Sequence, residues 1–184
     1  MKEIYLGGGC FWGMEKLMRA LPGVMDVVCG YANGVGEQEA NYRSVCDGDT
    51  GFRETVRVCY DPAQTELENI LLVFYYVINP TVEKQQGPDV GDQYQTGVWY
   101  TDPADEETVR RVAAIEAAAV DRFAVEIGPL QNFFPAEEYH QRYLEKNPMG
   151  YCHIRPPQMR EALSLRLGPE GYTLPAKQLA EQKA

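Results

Sequence analysis

The tightest constraint on this chain lies near its N-terminus, where an apolar strand pattern runs into three consecutive glycines and then into a helical stripe. Lys2 to Leu6 reads as a short strand, and Gly7-Gly8-Gly9 follows it. Beyond Phe11, residues Met14, Leu17, Met18 and Leu21 fall at i, i+3, i+4 and i+7, the spacing of one helical face. Pro22-Gly23 ends that run, and Val24 to Tyr31 reads as a second strand.

The rest of the chain keeps alternating. Val56, Val58 and Tyr60 interleave with Arg57 and Cys59, as in a strand with one buried face, and Asp61-Pro62 stops it. Thr65 and Glu68 have the spacing of a capping box, opening a helix that puts Leu67, Ile70, Leu71, Phe74 and Ile78 on one stripe. Gln85 to Gln95 is a Gly- and Asp-rich loop, Gly97 to Tyr100 a strand, and Asp102-Pro103 caps a long helix expected to end near Phe123. Val125 to Ile127 reads as a further strand and Ala136 to Glu145 as a helix. Past Pro148 the chain is expected to be irregular, with a short helix near Gln158 to Leu165. The expected class is α/β of the α+β type: a mixed-sheet, two-layer sandwich with a ferredoxin-like split β-α-β core and an irregular C-terminal segment. One domain is expected: a catalytic portion over residues 1–155, and an extension over 156–184 that belongs to it or packs loosely.

Charge and cysteine usage narrow the function. Seventeen basic against 27 acidic residues leave a net charge of −10, which disfavours a phosphate backbone or an anionic membrane surface as partner. No apolar run approaches the roughly 20 residues needed to span a bilayer, and the N-terminus lacks the apolar core of a secretory signal. A cytoplasmic monomer is the default expectation. Five cysteines, at 10, 29, 46, 59 and 152, are an odd set without staple-like spacing, so a disulfide here would be catalytic rather than structural.

Cys10 is placed where a strand gives way to a helix, among unpaired backbone N–H groups and the positive end of the helix dipole, both of which favour a thiolate. The glycines do not have phosphate-loop spacing, and no basic residue stands beside them. On local physics alone Cys10 is either a nucleophile or a small core residue.

The string Gly9-Cys10-Phe11-Trp12-Gly13-x-Glu15 resembles the signature of the A-type methionine sulfoxide reductases. The similarity continues through Tyr42-Arg43, Gly48-Asp49-Thr50-Gly51, Glu54, Asn79-Pro80-Thr81 and Asp89-x-Gly91-x-Gln93-Tyr94. It extends to Phe133-Phe134-x-Ala136-Glu137-x-Tyr139-His140-Gln141 and Gly150-Tyr151-Cys152, covering about residues 3 to 155. The resemblance implies a peptide-methionine (S)-S-oxide reductase acting on free, peptide-bound or protein-bound methionine sulfoxide. In it Cys10 attacks sulfur, Glu54 supplies a proton, and the resulting sulfenic acid condenses with a second thiol, expected to be Cys152. Thioredoxin, or dithiothreitol in vitro, then restores both thiols, with no metal or other cofactor.

The same resemblance gives Phe11 and Trp12 the walls that receive the S-methyl group, and Tyr42 and Tyr94 the hydroxyls that hold the sulfoxide oxygen. Asp89 becomes a carboxylate that orders the pocket. Each has an ordinary reading beside it: core anchorage for Phe11 and Trp12, packing for the tyrosines, turn formation for Asp89. Strand parity aligns Glu54 with Val56 and Val58, where burial would keep it protonated, although a strand-edge Glu can also bend into solvent. Cys29 and Cys59 read as core and Cys46 is ambiguous.

Phe52, Ile78, Pro88, Val90 and Gln95 depart from the family pattern at positions expected to flank the pocket. The rival enzyme reading pairs Cys10 with His140 as a hydrolase, but a helical His140 is expected to face the surface. A metal or nucleotide module lacks Cys-x-x-Cys or His-x-x-x-His pairs, and a decayed family member that only binds methionine-rich partners is disfavoured by the intact Cys10 and Glu54.

Overall fold

The computed structural model describes residues 1–182 of the chain; Lys183 and Ala184, the last two residues of the expected extension, lie outside the described residues. In chain order the elements are β1 (Lys2–Gly7), α1 (Phe11–Arg19), β2 (Val24–Ala32), α2 (Tyr42–Asp47), β3 (Arg53–Tyr60) and α3 (Leu67–Val77). There follow β4 (Gln85–Gln86), β5 (Asp89–Val90), β6 (Gly97–Tyr100), α4 (Glu106–Ala118), β7 (Glu126–Pro129) and β8 (Phe133–Pro135). Three helices complete the described residues: α5 (Tyr143–Lys146), α6 (Pro156–Ser164) and α7 (Ala176–Glu181).

Six strands form one mixed sheet in the order β7-β6-β1-β3-β2-β8, and β4 with β5 makes a separate hairpin. Only β6 and β7 pair in parallel; the other neighbours in the large sheet are antiparallel. Because β1 and β2 both run antiparallel to β3 and flank it, the β1-α1-β2 unit is split by β3. The β3-α3-β6 unit is likewise split by β1. This interleaving puts the end of β1 in the middle of the sheet. The last β1–β3 pair is Leu6 with Val56, so Glu54 lies at the level where the chain leaves β1 and turns into α1.

The apolar stripe read from α1 is buried as expected: Met14, Leu17 and Met18 are sealed in the core together with Ile4, Leu6, Val56 and Val58 from the sheet. Desolvating such side chains stabilises the fold by about 1.5–3 kcal/mol apiece.

Elsewhere tertiary bonds override local pattern. The capping box at Thr65 does not form. Glu66 is the N-cap of α3 without a side-chain bond, and Glu68 pairs instead with Arg111 of α4. Asp102 caps a 3-10 turn, Pro103–Asp105, rather than α4 itself. Helix α4 ends at Ala118, short of Phe123, because the chain turns so that Ala124 N–H can donate to the Pro80 carbonyl at 2.7 Å and Phe123 can pack on Tyr75.

The helix expected over 136–145 is broken into a 3-10 turn, Glu138–His140, and α5. Gln141 is the reason. Its side chain accepts from Cys29 N–H and donates to the Cys29 carbonyl, both at 2.9 Å, and thereby ties this stretch to the edge of β2. Arg142 then takes a left-handed backbone with φ 53°, its N–H donating to the buried Glu15 carboxylate of α1.

The C-terminal segment is more ordered than its sequence suggested. Helix α6 covers the expected short helix, and α7 was not anticipated. The two bury Met159, Ala162, Ala176 and Ala180 against the core.

Candidate functional site

Cys10 is the N-cap residue of α1 and retains 6% of its exposure, so its sulfur is nearly sealed yet reachable from the surface. Gly9 makes this possible. It holds φ at 84°, a left-handed conformation that glycine adopts without a Cβ penalty, and this turns the chain sharply from β1 to present Cys10 at the helix mouth. The thiol is free.

Glu54, 3% exposed, sits directly beneath this helix mouth. Its Oε2 accepts the Phe11 backbone N–H at 3.0 Å, one of the donors that a helix leaves unpaired in its first turn. Burial pushes the Glu54 carboxyl up to about 8. The Phe11 hydrogen bond opposes that shift without cancelling it, and the charge of Asp89 adds to it. Glu54 is therefore a neutral acid at pH 7.

The thiol departs from what the sequence led us to expect. Burial pushes Cys10 far above its ordinary value, the nearby Glu54 pushes in the same direction, and the hydrogen bond from Trp12 N–H offsets only part of this. The helix terminus contributes a donor, but desolvation outweighs it. Cys10 rests as a thiol, not as a thiolate.

An aromatic wall stands beside the pair. Trp12 stacks on Tyr143 with ring centroids 3.7 Å apart and planes 13° from parallel. Its indole N–H donates to His140 Nδ1 at 3.0 Å. His140, 1% exposed, is not on the surface: the broken helix turns it inward, where it packs 5.1 Å from Phe11 and 4.8 Å from Tyr42. Burial lowers its pKa, and with Nδ1 accepting from Trp12 it is a neutral ring that positions the indole. Phe11 also lies 5.8 Å from Tyr31, so its ring is part of the core packing beneath the site.

Tyr42 opens α2 on the rim of the site, its N–H held by Glu137 at 3.0 Å; the same carboxylate accepts from Tyr31 at 2.9 Å. Tyr94 ends a 3-10 turn after β5, close enough that the charges of Glu54, Cys10 and Asp89 all raise its hydroxyl pKa after burial does. Asp89 accepts from Tyr151 Oη at 3.0 Å, which ties the β4–β5 hairpin to the segment that carries Cys152.

That segment docks on α1 at Gly13. A Cβ added there would meet Cys152 Sγ at 3.0 Å and His153 Nδ1 at 3.2 Å, so any larger residue would press on this segment. Cys152 thus lies one helical turn beyond Cys10. Cys29 is fully buried in β2, its thiol directed at the Phe11 carbonyl, while Cys46 is exposed and Cys59 half-buried in β3.

All eight residues singled out from the sequence, Cys10, Phe11, Trp12, Tyr42, Glu54, Asp89, Tyr94 and Cys152, are near this helix mouth. Sequence reasoning left Tyr143, Tyr151 and His153 without a role and placed His140 wrongly. Adjacency to Cys152 was the available signal for Tyr151 and His153. Three of the departures from the family pattern serve the interior. Phe52 packs between Tyr31 and Phe134, Ile78 is sealed in the core, and buried Gln95 bonds Lys84 N–H and the Ala124 carbonyl. Pro88 and Val90 are exposed on the hairpin. Among the described residues no group of three or more His, Cys, Asp or Glu is arranged to hold a metal ion, and no helix is long and apolar enough to cross a membrane.

Comparison with known proteins gives a consistent picture. The family model described as peptide methionine sulfoxide reductase matches residues 2–167. A peptide methionine sulfoxide reductase MsrA of Alkaliphilus metalliredigens is 46% identical over 155 residues, covering 84% of this chain and 98% of its own length. Among solved structures, Mxr1 of Saccharomyces cerevisiae in reduced form superposes with a TM-score of 0.77 at 38% identity, over 82% of this chain and 88% of that one. Mxr1 in complex with Trx2 gives a TM-score of 0.55 at 26% identity, over 77% and 84%.

Proposed function

The chain belongs to the peptide methionine sulfoxide reductase family, and from that premise we propose how its residues carry out the reduction of methionine sulfoxide. The observation that carries the reading is the meeting of Cys10 and Glu54 at one helix terminus, with the Phe11 N–H bound to Glu54 Oε2. Because Oε2 is occupied as an acceptor, the acid proton resides on Oε1.

A sulfoxide oxygen leaves sulfur only once it is protonated. Glu54 gives its proton to that oxygen while Cys10 Sγ attacks the sulfoxide sulfur, and the carboxylate so formed takes the thiol proton. No free thiolate has to exist in the buried site. The bond between the two sulfurs then breaks as the protonated oxygen passes from the substrate sulfur to Cys10 Sγ, leaving a sulfenic acid and releasing methionine, so the enzyme sulfur is oxidised by two electrons and the substrate reduced by two. Tyr42 and Tyr94 donate to the oxygen as it gains charge, and the face of Trp12, braced by Tyr143 and His140, receives the S-methyl group. This asymmetry selects the S epimer.

Cys152 then attacks Cys10, forming the disulfide and releasing water. Thioredoxin reduces that disulfide by thiol exchange; the family's structural record includes a relative bound to Trx2. Two thiols supply the two electrons, so the cycle needs no resident cofactor, and a reducing compartment such as the cytoplasm suits the five free thiols.

The test uses chromophore-tagged methionine S- and R-sulfoxides with dithiothreitol. The protein should reduce only the S form, and Cys10→Ser should abolish turnover. Reduction of the R form would overturn the epimer assignment, and turnover by Cys10→Ser would overturn the nucleophile.

A further inference from the structure

We propose that the His153 imidazole is the base that accepts the Cys152 thiol proton when the Cys10–Cys152 disulfide forms, acting through Nδ1. This rests on the Cys10–Cys152 pairing above and adds a residue to its second half.

The geometry fixes the tautomer. His153 Nε2 lies 2.9 Å from the Gly8 carbonyl, which can only accept, so Nε2 carries the ring hydrogen. Nδ1 then holds a bare lone pair. It is buried and has no hydrogen-bond partner among the described residues. An orphaned acceptor in the interior costs about 1–3 kcal/mol and calls for an explanation, of which a catalytic role is one.

His153 Nδ1 and Cys152 Sγ both border the vacant Cβ position of Gly13 on α1, at 3.2 and 3.0 Å from it, so the two atoms flank one small gap. At rest the Cys152 thiol donates to the Ile154 carbonyl at 3.3 Å, and a carbonyl cannot remove a proton.

Chemistry requires such a base. Burial raises the Cys152 thiol above its ordinary value, against the opposing effects of its hydrogen bond with Ile154 and of Lys16. Burial lowers His153, while Asp89 and the Gly8 bond pull it the other way, so the ring is neutral and able to accept. Cys10 and Tyr151 are the further titratable groups close enough for their charges to couple to Cys152. Nδ1 takes the Cys152 proton as Sγ attacks Cys10 Sγ. The S–S bond forms, the S–O bond of the sulfenic acid breaks, and the departing hydroxyl takes the proton from the imidazolium and leaves as water.

The experiment separates the two halves of the cycle by rapid quench with an oxidised peptide and no reductant, following methionine release and loss of free thiols. His153→Gln keeps a donor for Gly8 but has no base. It should release the first methionine as fast as the parent yet form the disulfide about a hundredfold more slowly, the middle of the range for general base catalysis. In His153→Ala, added imidazole should restore part of the disulfide rate, a rescue that a purely structural strut would not give. A parental disulfide rate in His153→Gln, or equal slowing of both steps, overturns the proposal. Cys152→Ser distinguishes the two layers. If the Cys10 disulfide still forms in it, the pairing itself fails. If it does not form, yet His153→Gln is normal, only the role of His153 fails.

Discussion

At the scale of single residues the account turns on Glu54. Its carboxyl ionises near 4.5 in an exposed chain and near 8 in the fold. Between those limits the unfolded chain has lost the proton and the folded one has kept it. Stability is therefore greatest below the lower value and falls as pH rises, by about 1.4 kcal/mol per pH unit across the window. Glu54→Gln keeps an acceptor for Phe11 N–H but cannot ionise. Thermal unfolding should show it gaining on the parent protein from pH 5 to 8, while methionine formation drops by about 10²-fold or more. A parental pH slope would mean that Glu54 is not buried as a neutral acid. Methionine release in a single turnover should also hold steady up to about pH 8 and decline above it, as the acid is lost; a rate that climbs through that range would instead identify a thiolate as the reacting form. Strand parity aligned Glu54 with Val56 and Val58 but left a solvent-facing side chain open, and the family resemblance pointed to its role. The protonation state of Cys10 was not legible, because helix-end donors are visible in sequence whereas the depth of burial is set by distant elements.

At the scale of elements the informative contact is the docking of the Cys152 segment on α1. Gly13→Ala would ordinarily stabilise a helix by up to about 1 kcal/mol. Here the new methyl meets Cys152 Sγ and His153 Nδ1 at 3.0 and 3.2 Å and must push both reacting groups away from α1 by a few tenths of an ångström. Denaturant unfolding should show little loss of stability, while quenched single turnovers should show disulfide formation slowed about tenfold or more with methionine release retained, within the range of penalties for misplacing a reacting group. An unchanged disulfide rate would show that the resting position of Cys152 is irrelevant. The long periodic segments, α1, α3 and β3, could be read from the sequence because their apolar faces are what the core buries. The stretch over 136–145 could not: its helical pattern is real, but the Gln141 side chain bonds the Cys29 backbone and the Arg142 N–H donates to Glu15 instead of to its own helix. That exchange turns His140 inward, and it depends on partners more than a hundred positions away in the chain.

At the scale of the whole molecule, the split arrangement of the sheet brings β1, β3 and α1 together so that nucleophile and acid arrive from separate β-α-β units. Mutual alternation of strands and helices announced the class, and the family string around Cys10 announced the chemistry. The packing of α7 was silent because much of what holds it is polar and carries no periodic signal. Glu116 of α4 accepts from Tyr172 Oη at 2.5 Å and from Ala176 N–H at 2.7 Å, and so pins α7 to the core. Tyr172→Phe should lower unfolding stability by about 1–3 kcal/mol, read from denaturant midpoints, and leave kcat/KM within about twofold. A comparable loss of activity would show that the tail communicates with the helix mouth.

The central claim is that the sulfur of Cys10 takes the sulfoxide oxygen beside a protonated Glu54. It is tested most directly in Cys152→Ser, mixed with one equivalent of methionine S-sulfoxide peptide and a sulfenic-acid trap, then digested and read by mass spectrometry. One methionine should be released per protein, with the trap on Cys10. Methionine release with the trap on Cys46 or Cys29, or undiminished release when Cys10→Ser is added, would contradict it.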